Sequence, residues 1–225
     1  MPSILLVRHA QASFGGENYD VLSEHGAGQV RALAADLERR RVRIDQAVSG
    51  SLERQKDTAA PIASAAGCEL RIDPRWDEYV TEDILGHHSD TDIREERTGD
   101  APPVSSRDFQ VVLERALHEW IAAGADGPAD EPYAAFAARV EGALRDVAAG
   151  LGSGETALVS TSGGPLAVVC CGLLRVPPST FVAFNRVTIN TGITKVVTGR
   201  GGTTLVSFNE HQHLEQREPS LVTYR

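Results

Sequence analysis

The residues of this 225-residue chain best suited to chemistry are two arginines and a histidine. Arg8 and His9 follow directly on the apolar run Ile4-Leu5-Leu6-Val7, and Arg54 lies in the segment Ser49-Gly50-Ser51-Leu52-Glu53-Arg54. A guanidinium stays charged and presents a planar fork of donors matched to phosphate oxygens, which a lysine ammonium does less specifically. An imidazole changes charge near neutral pH and can serve as a nucleophile when unprotonated. A third stretch, Ser162-Gly163-Gly164-Pro165, reads as the opening of a helix, where backbone N–H groups and the helix dipole favour an anion. The three segments are far apart in the chain, so the fold must bring them together.

The hydrophobic pattern supplies such a fold. Ile4-Leu5-Leu6-Val7 suits a strand buried on both faces of a parallel sheet. Ser23 is placed to cap a helix carrying Val30, Leu33, Ala34 and Leu37 at helical spacing before Arg39-Arg40-Arg41. Residues 42–48 read as a second strand, 52–66 as a helix ended by Gly67, and Cys68, Leu70 and Ile72 as a short alternating strand. Tyr133, Phe136, Ala137, Val140, Leu144 and Val147 form another helical stripe, followed by a flexible connector over 150–154 and a strand over 156–161. Pro165 suits a first helical position in a helix over 166–174, and the chain ends in strands around 193–197 and 203–208.

Strands alternating with helices predict a three-layer α/β/α domain: a mostly parallel sheet with helices on both faces. Between about 79 and 132 the pattern changes, with acidic residues, Pro102-Pro103 and the amphipathic run Phe109, Val112, Leu113, Ala116, Leu117 and Trp120. This reads as a helical insertion over the C-terminal strand ends of one domain spanning 1–225. In open α/β sheets ligands gather beyond those ends. The ends of the strands at Val7, Val48 and Thr161 would therefore converge and deliver Arg8-His9, Ser49 through Arg54, and Ser162-Gly163-Gly164.

Composition narrows the partners. A net charge of −9 argues against broad nucleic-acid binding, which depends on Lys and Arg neutralising phosphates. The longest apolar region, 157–174, is interrupted by Ser160, Thr161, Ser162, Gly163, Gly164 and Pro165, so no membrane span is expected, and the N-terminus does not read as a signal peptide. Three cysteines, two of them adjacent, do not make a secreted disulfide framework and point to a reducing, cytoplasmic setting. Cys170-Cys171 in an apolar helix reads as core packing, and His87-His88 and His211-x-His213 are unspecific as metal ligands, so neither metal nor cofactor is expected.

Two motifs together carry a resemblance. Leu5-Leu6-Val7-Arg8-His9-Ala10-Gln11-Ala12-Ser13 resembles the opening motif of the histidine phosphatase, or phosphoglycerate mutase-like, family. Ser49-Gly50-Ser51-Leu52-Glu53-Arg54-Gln55-Lys56-Asp57-Thr58-Ala59 is similar to its Ser-x-x-x-Arg-x-x-x-Thr-Ala segment. Trp76-Asp77-Glu78, the stretch from Val159 to Leu166, and Phe208-Asn209-Glu210-His211-Gln212-His213-Leu214, similar to a bacterial branch, extend the match over nearly the whole chain.

The resemblance implies that His9 is a nucleophile forming a phosphohistidine and that Glu78 is the general acid, with Asp77 and Glu82 as alternatives. It also implies that Arg8, Arg54, Ser162 and Gly163 bind phosphate. In one respect the chain departs from the family pattern: Ser162 stands where a second histidine is usual, so one positive donor is missing. Loss of such a donor predicts turnover reduced by roughly 10²- to 10³-fold, with phosphate binding better preserved. The expected ligand is a small phosphorylated substrate or inorganic phosphate. The alternatives are a non-catalytic binder of phospho-ligands, a mutase-type phosphotransferase, or a second-histidine role taken by His211 or His213. Arg94, Arg97 and Arg107 are the insertion's candidates for further substrate charge, and the sequence leaves a homodimer open.

Overall fold

The computed structural model describes residues 1–13, 20–88 and 106–224. Its centre is a six-stranded sheet of order β3-β2-β4-β1-β5-β6, formed by β1 (Ser3–Arg8), β2 (Gln46–Ser49), β3 (Leu70–Ile72), β4 (Thr156–Thr161), β5 (Ile193–Gly199) and β6 (Gly202–Glu210). β1 to β4 run parallel, whereas β5 is antiparallel to β1 and to β6. This is the three-layer α/β/α architecture expected from the sequence.

The alternating faces of β1 explain the two helical layers. Leu5 and Val7 join Leu33 and Leu37 of α1 (Glu24–Arg39) and Ala59 and Ile62 of α2 (Glu53–Ala66) in one apolar cluster. Ile4 and Leu6 face the other way. They share a larger cluster with Phe136, Val140 and Leu144 of α5 (Tyr133–Gly150) and Leu166 and Ala167 of α6 (Gly163–Leu174). Each of these side chains is withdrawn from water, the dominant favourable contribution to folding.

The insertion adds α3 (Thr81–Gly86) and α4 (Ser106–Ala123) to this second layer. Leu113, Leu117 and Trp120 are buried there, and Trp120 packs edge-on against Tyr133 with ring centroids 5.2 Å apart. Two short helices complete the chain, α7 (Phe181–Val187) and α8 (Gln212–Glu215), neither of which the sequence pattern announced. Arg94 and Arg97, and the side chain of Arg107, fall outside the described residues.

Local chemistry sets the boundaries. Ser23 caps α1 by accepting the Gly26 N–H at 2.9 Å, and Gly67 ends α2 with φ 70°. The second strand starts at Gln46 rather than Val42, because Arg41 takes a positive φ and Val42 N–H donates back to Leu37 at 2.9 Å. Leu52 is the N-cap of α2 rather than its first residue. Pro165 is the third residue of α6 rather than its first, still within the turn where no intrahelical N–H bond is lost.

Candidate functional site

The parallel register carries the site residues to one end of the sheet. Arg8 is paired with Thr161 across β1 and β4, so His9 and Ser162 emerge side by side just beyond the two strands. Ser49 is paired with Ser160, which brings the turn into α2, and Arg54 on its first turn, to the same end. Because β5 is antiparallel, the loop of residues 188–192 also arrives here.

His9 is buried, and its backbone is fixed on both sides: its N–H donates to Thr161 at 2.7 Å and its carbonyl accepts from Asn190 Nδ2 at 2.9 Å. Nδ1 bonds the Ala10 carbonyl at 2.8 Å, which makes Nδ1 the protonated nitrogen and leaves the lone pair on Nε2. Arg54 Nε donates to that Nε2 at 3.2 Å, and its Nη1 pairs with Asp20 at 2.6 Å. Thr58 ties these elements together, donating to the Arg54 carbonyl at 2.7 Å and accepting the Ala10 N–H at 2.9 Å. Arg8 is anchored by carbonyls, its Nη1 donating to Thr188 and, at 2.6 Å, to Tyr224.

The electrostatics match this geometry. Burial first, and then the charges of Arg8 and Arg54, hold the His9 pKa well below 6.5, so its imidazole is neutral. Burial likewise raises the Glu78 pKa above 4.5, opposed by the Gly164 N–H, Arg54, Arg8 and the Tyr79 N–H. The same two arginines thus act on both groups. The Glu78 carboxylate accepts the Gly164 N–H at 3.1 and 3.2 Å, seated at the N-terminus of α6. A Cβ at Gly164 would lie 2.1 Å from Glu78 Oε1, so this approach requires glycine.

Ser162 is fully buried and caps α6 without using its side chain on the helix; its Oγ accepts from Gln55 Nε2 at 2.9 Å. Gly163 opens the helix with Asn185 Oδ1 2.4 Å from where a Cβ would stand. Asp77 is committed elsewhere, accepting from the backbone and hydroxyl of Ser51, while Glu82 lies in the first turn of α3.

The late histidines stay out of the site. His213 is buried and pairs with Thr191 at 3.1 Å, behind the backbone of Arg8, and His211 faces Glu215 at 3.3 Å. Neither fills the place of a second histidine beside Ser162. Among the described residues no cluster could hold a metal ion, and no helix is long and apolar enough to cross a membrane. Asp20, Gln55 and Asn190 carried no signal of their own in the sequence pattern. The Gly163-Gly164 helix opening was expected to meet an anion through its N–H groups, and the Gly164 N–H meets the Glu78 carboxylate.

A mostly parallel α/β sheet with histidine and two arginines at its carboxyl end defines a class, and the sequence places the chain in it: the protein belongs to the histidine phosphatase superfamily (branch 1), whose family model matches residues 4–211. Among solved structures, a mutant of a phosphoserine phosphatase from Entamoeba histolytica in complex with phosphoserine is similar, with TM-score 0.66 and 21% identity over 95% of this chain and 100% of that one. A mycobacterial glucosyl-3-phosphoglycerate phosphatase is similar with TM-score 0.64 and 21% identity, over 92% of this chain and 98% of its own. The α-ribazole phosphatase from Shigella flexneri gives TM-score 0.64 and 18% identity, over 92% and 96%. At such identities these likenesses speak for the fold. No curated protein matches the sequence.

Proposed function

We propose that the protein is a phosphomonoester hydrolase working through a phosphohistidine on His9. The observation that carries this reading is the 3.2 Å contact between Arg54 Nε and His9 Nε2, in an imidazole whose Nδ1 is tied to the Ala10 carbonyl. It supports a phosphate role for Arg54, because that guanidinium touches the nitrogen that holds the lone pair. The relatives of this fold named above include enzymes for phosphoserine and for a phosphoglycerate derivative, which supports a small phosphorylated substrate.

In this reading the phosphoryl group enters between His9, Arg54 and Arg8, displacing the Arg54 contact from Nε2. Nε2 attacks phosphorus, the ester P–O bond breaks, and the Glu78 proton passes to the leaving oxygen. Water then attacks the phosphohistidine, giving its proton to the Glu78 carboxylate, and Nε2 leaves with its electron pair. Arg8, Arg54, the Ser162 hydroxyl and the Gly163 backbone N–H hold the phosphoryl oxygens. A reducing, cytoplasmic setting and a single domain over 1–225 fit the same reading.

Ser162 favours a second reading. A neutral hydroxyl in that place supports a binder of phospho-ligands with little turnover. A panel of phosphate monoesters decides between them. The hydrolase releases inorganic phosphate, and His9→Ala reduces that release to background. Ligand binding without His9-dependent release would leave the binding reading in its place.

A further inference from the structure

Gln55 lies next to Arg54 in the sequence, yet its side chain turns inward and is completely buried. Its Nε2 donates twice, to the Trp76 carbonyl at 3.1 Å and to Ser162 Oγ at 2.9 Å. Both amide protons are therefore committed, and Gln55 has none for a phosphate. Gly50 makes room for it: a Cβ there would stand 2.0 Å from Gln55 Oε1 and 2.5 Å from Asp77 Oδ1. The amide is held in a built cradle of Gly50, Trp76 and Ser162.

A serine hydroxyl has one proton to give. Since Ser162 Oγ receives the Gln55 proton, its own O–H must point away from Gln55. Ser162 does not use the hydroxyl to cap α6, and its backbone stands beside His9 across the β1–β4 register. We propose that Gln55 is a positioning residue: it occupies the volume beside Ser162 and sets the Ser162 hydroxyl as a neutral hydrogen-bond donor to the phosphoryl group held at His9. This rests on the assignment of the His9 site as the phosphate site. It turns the missing positive charge into a defined arrangement, with two guanidiniums and one oriented hydroxyl around the anion.

The test is a double-mutant cycle read by the dissociation constant for inorganic phosphate, measured by titration calorimetry. Gln55→Met keeps a long, flexible side chain but gives no proton, and Ser162→Ala removes the hydroxyl. Each is expected to weaken phosphate binding about fivefold, the scale of one typical net hydrogen bond. The double variant should bind no more weakly than either single one, because both remove the same donor. Arg54→Ala and His9→Ala serve as controls for the site itself. If the wild type binds phosphate and those controls lose it, but Gln55→Met binds like the wild type or the two losses add, the inference is wrong and the site stands. If the controls bind as the wild type does, the site assignment fails and takes the inference with it. Should Gln55→Met not fold, Ser162→Ala alone decides: unchanged binding overturns the proposal and a fivefold loss supports it.

Discussion

At the scale of single residues, the site is organised by opposite shifts of two acids. The His9 pKa is depressed below 6.5, so the proposed nucleophile stays neutral as the pH falls past that value. The Glu78 pKa is raised above 4.5, so the proposed general acid keeps its proton as the pH rises past that value. The two shifts move in opposite directions and favour neutral imidazole and protonated carboxyl at the same pH. Turnover should peak on the acid side of neutrality, falling upward as Glu78 ionises and downward as His9 gains a proton. A kcat profile that climbs steadily into alkaline pH would contradict these roles. The sequence made His9, Arg8 and Arg54 legible because each follows a recognisable apolar run. It could not reveal Gln55 or Asn190, whose partners are a hydroxyl and a carbonyl more than a hundred residues away in the chain.

At the scale of elements, the close approach of Glu78 to α6 depends on Gly164. Gly164→Ala would push a methyl carbon to 2.1 Å from the carboxylate and 2.8 Å from the Tyr79 ring, so Glu78 must move. If Glu78 is the general acid, as proposed, its displacement predicts a fall in kcat on the order of 10²-fold, with phosphate binding changed far less. Equal losses in both would show that the glycine serves the phosphate rather than the acid. Elements with strong periodicity, such as α1 and α5, could be read directly from their apolar stripes, and α2 from the Gly67 that ends it. The weak ones could not. β2 is shortened because the chain turns at Arg41, a residue whose type gives no hint of a left-handed conformation. The loop of residues 188–192 is set by Asn209, which accepts from Ile189 N–H and donates to Val187, and by His213 on Thr191. Such tertiary bonds leave no periodic trace.

At the scale of the whole molecule, the same buried histidines make stability depend on pH. Burial lowers the His213 pKa from 6.5 to about 4, and His9 is shifted in the same direction. Between those values the unfolded chain binds the proton that the folded chain refuses, so stability falls as the pH drops from 6.5 towards 4. Denaturant midpoints should decline over that interval, and His213→Gln should make the decline shallower. A midpoint that is flat across it would contradict the burial of neutral imidazole. With a net charge of −9 the protein as a whole repels an anion, so in the proposed reading affinity for phosphate comes from Arg8, Arg54 and their neighbours. The central claim is a covalent bond to His9, and the most direct measurement traps it. Protein turning over a phosphate monoester is quenched in alkali and digested, and its peptides are searched for acid-labile phosphate. One phosphoryl group is expected on the His9 peptide, absent from His9→Ala. Sustained phosphate release with no phosphate ever found on that peptide would contradict it.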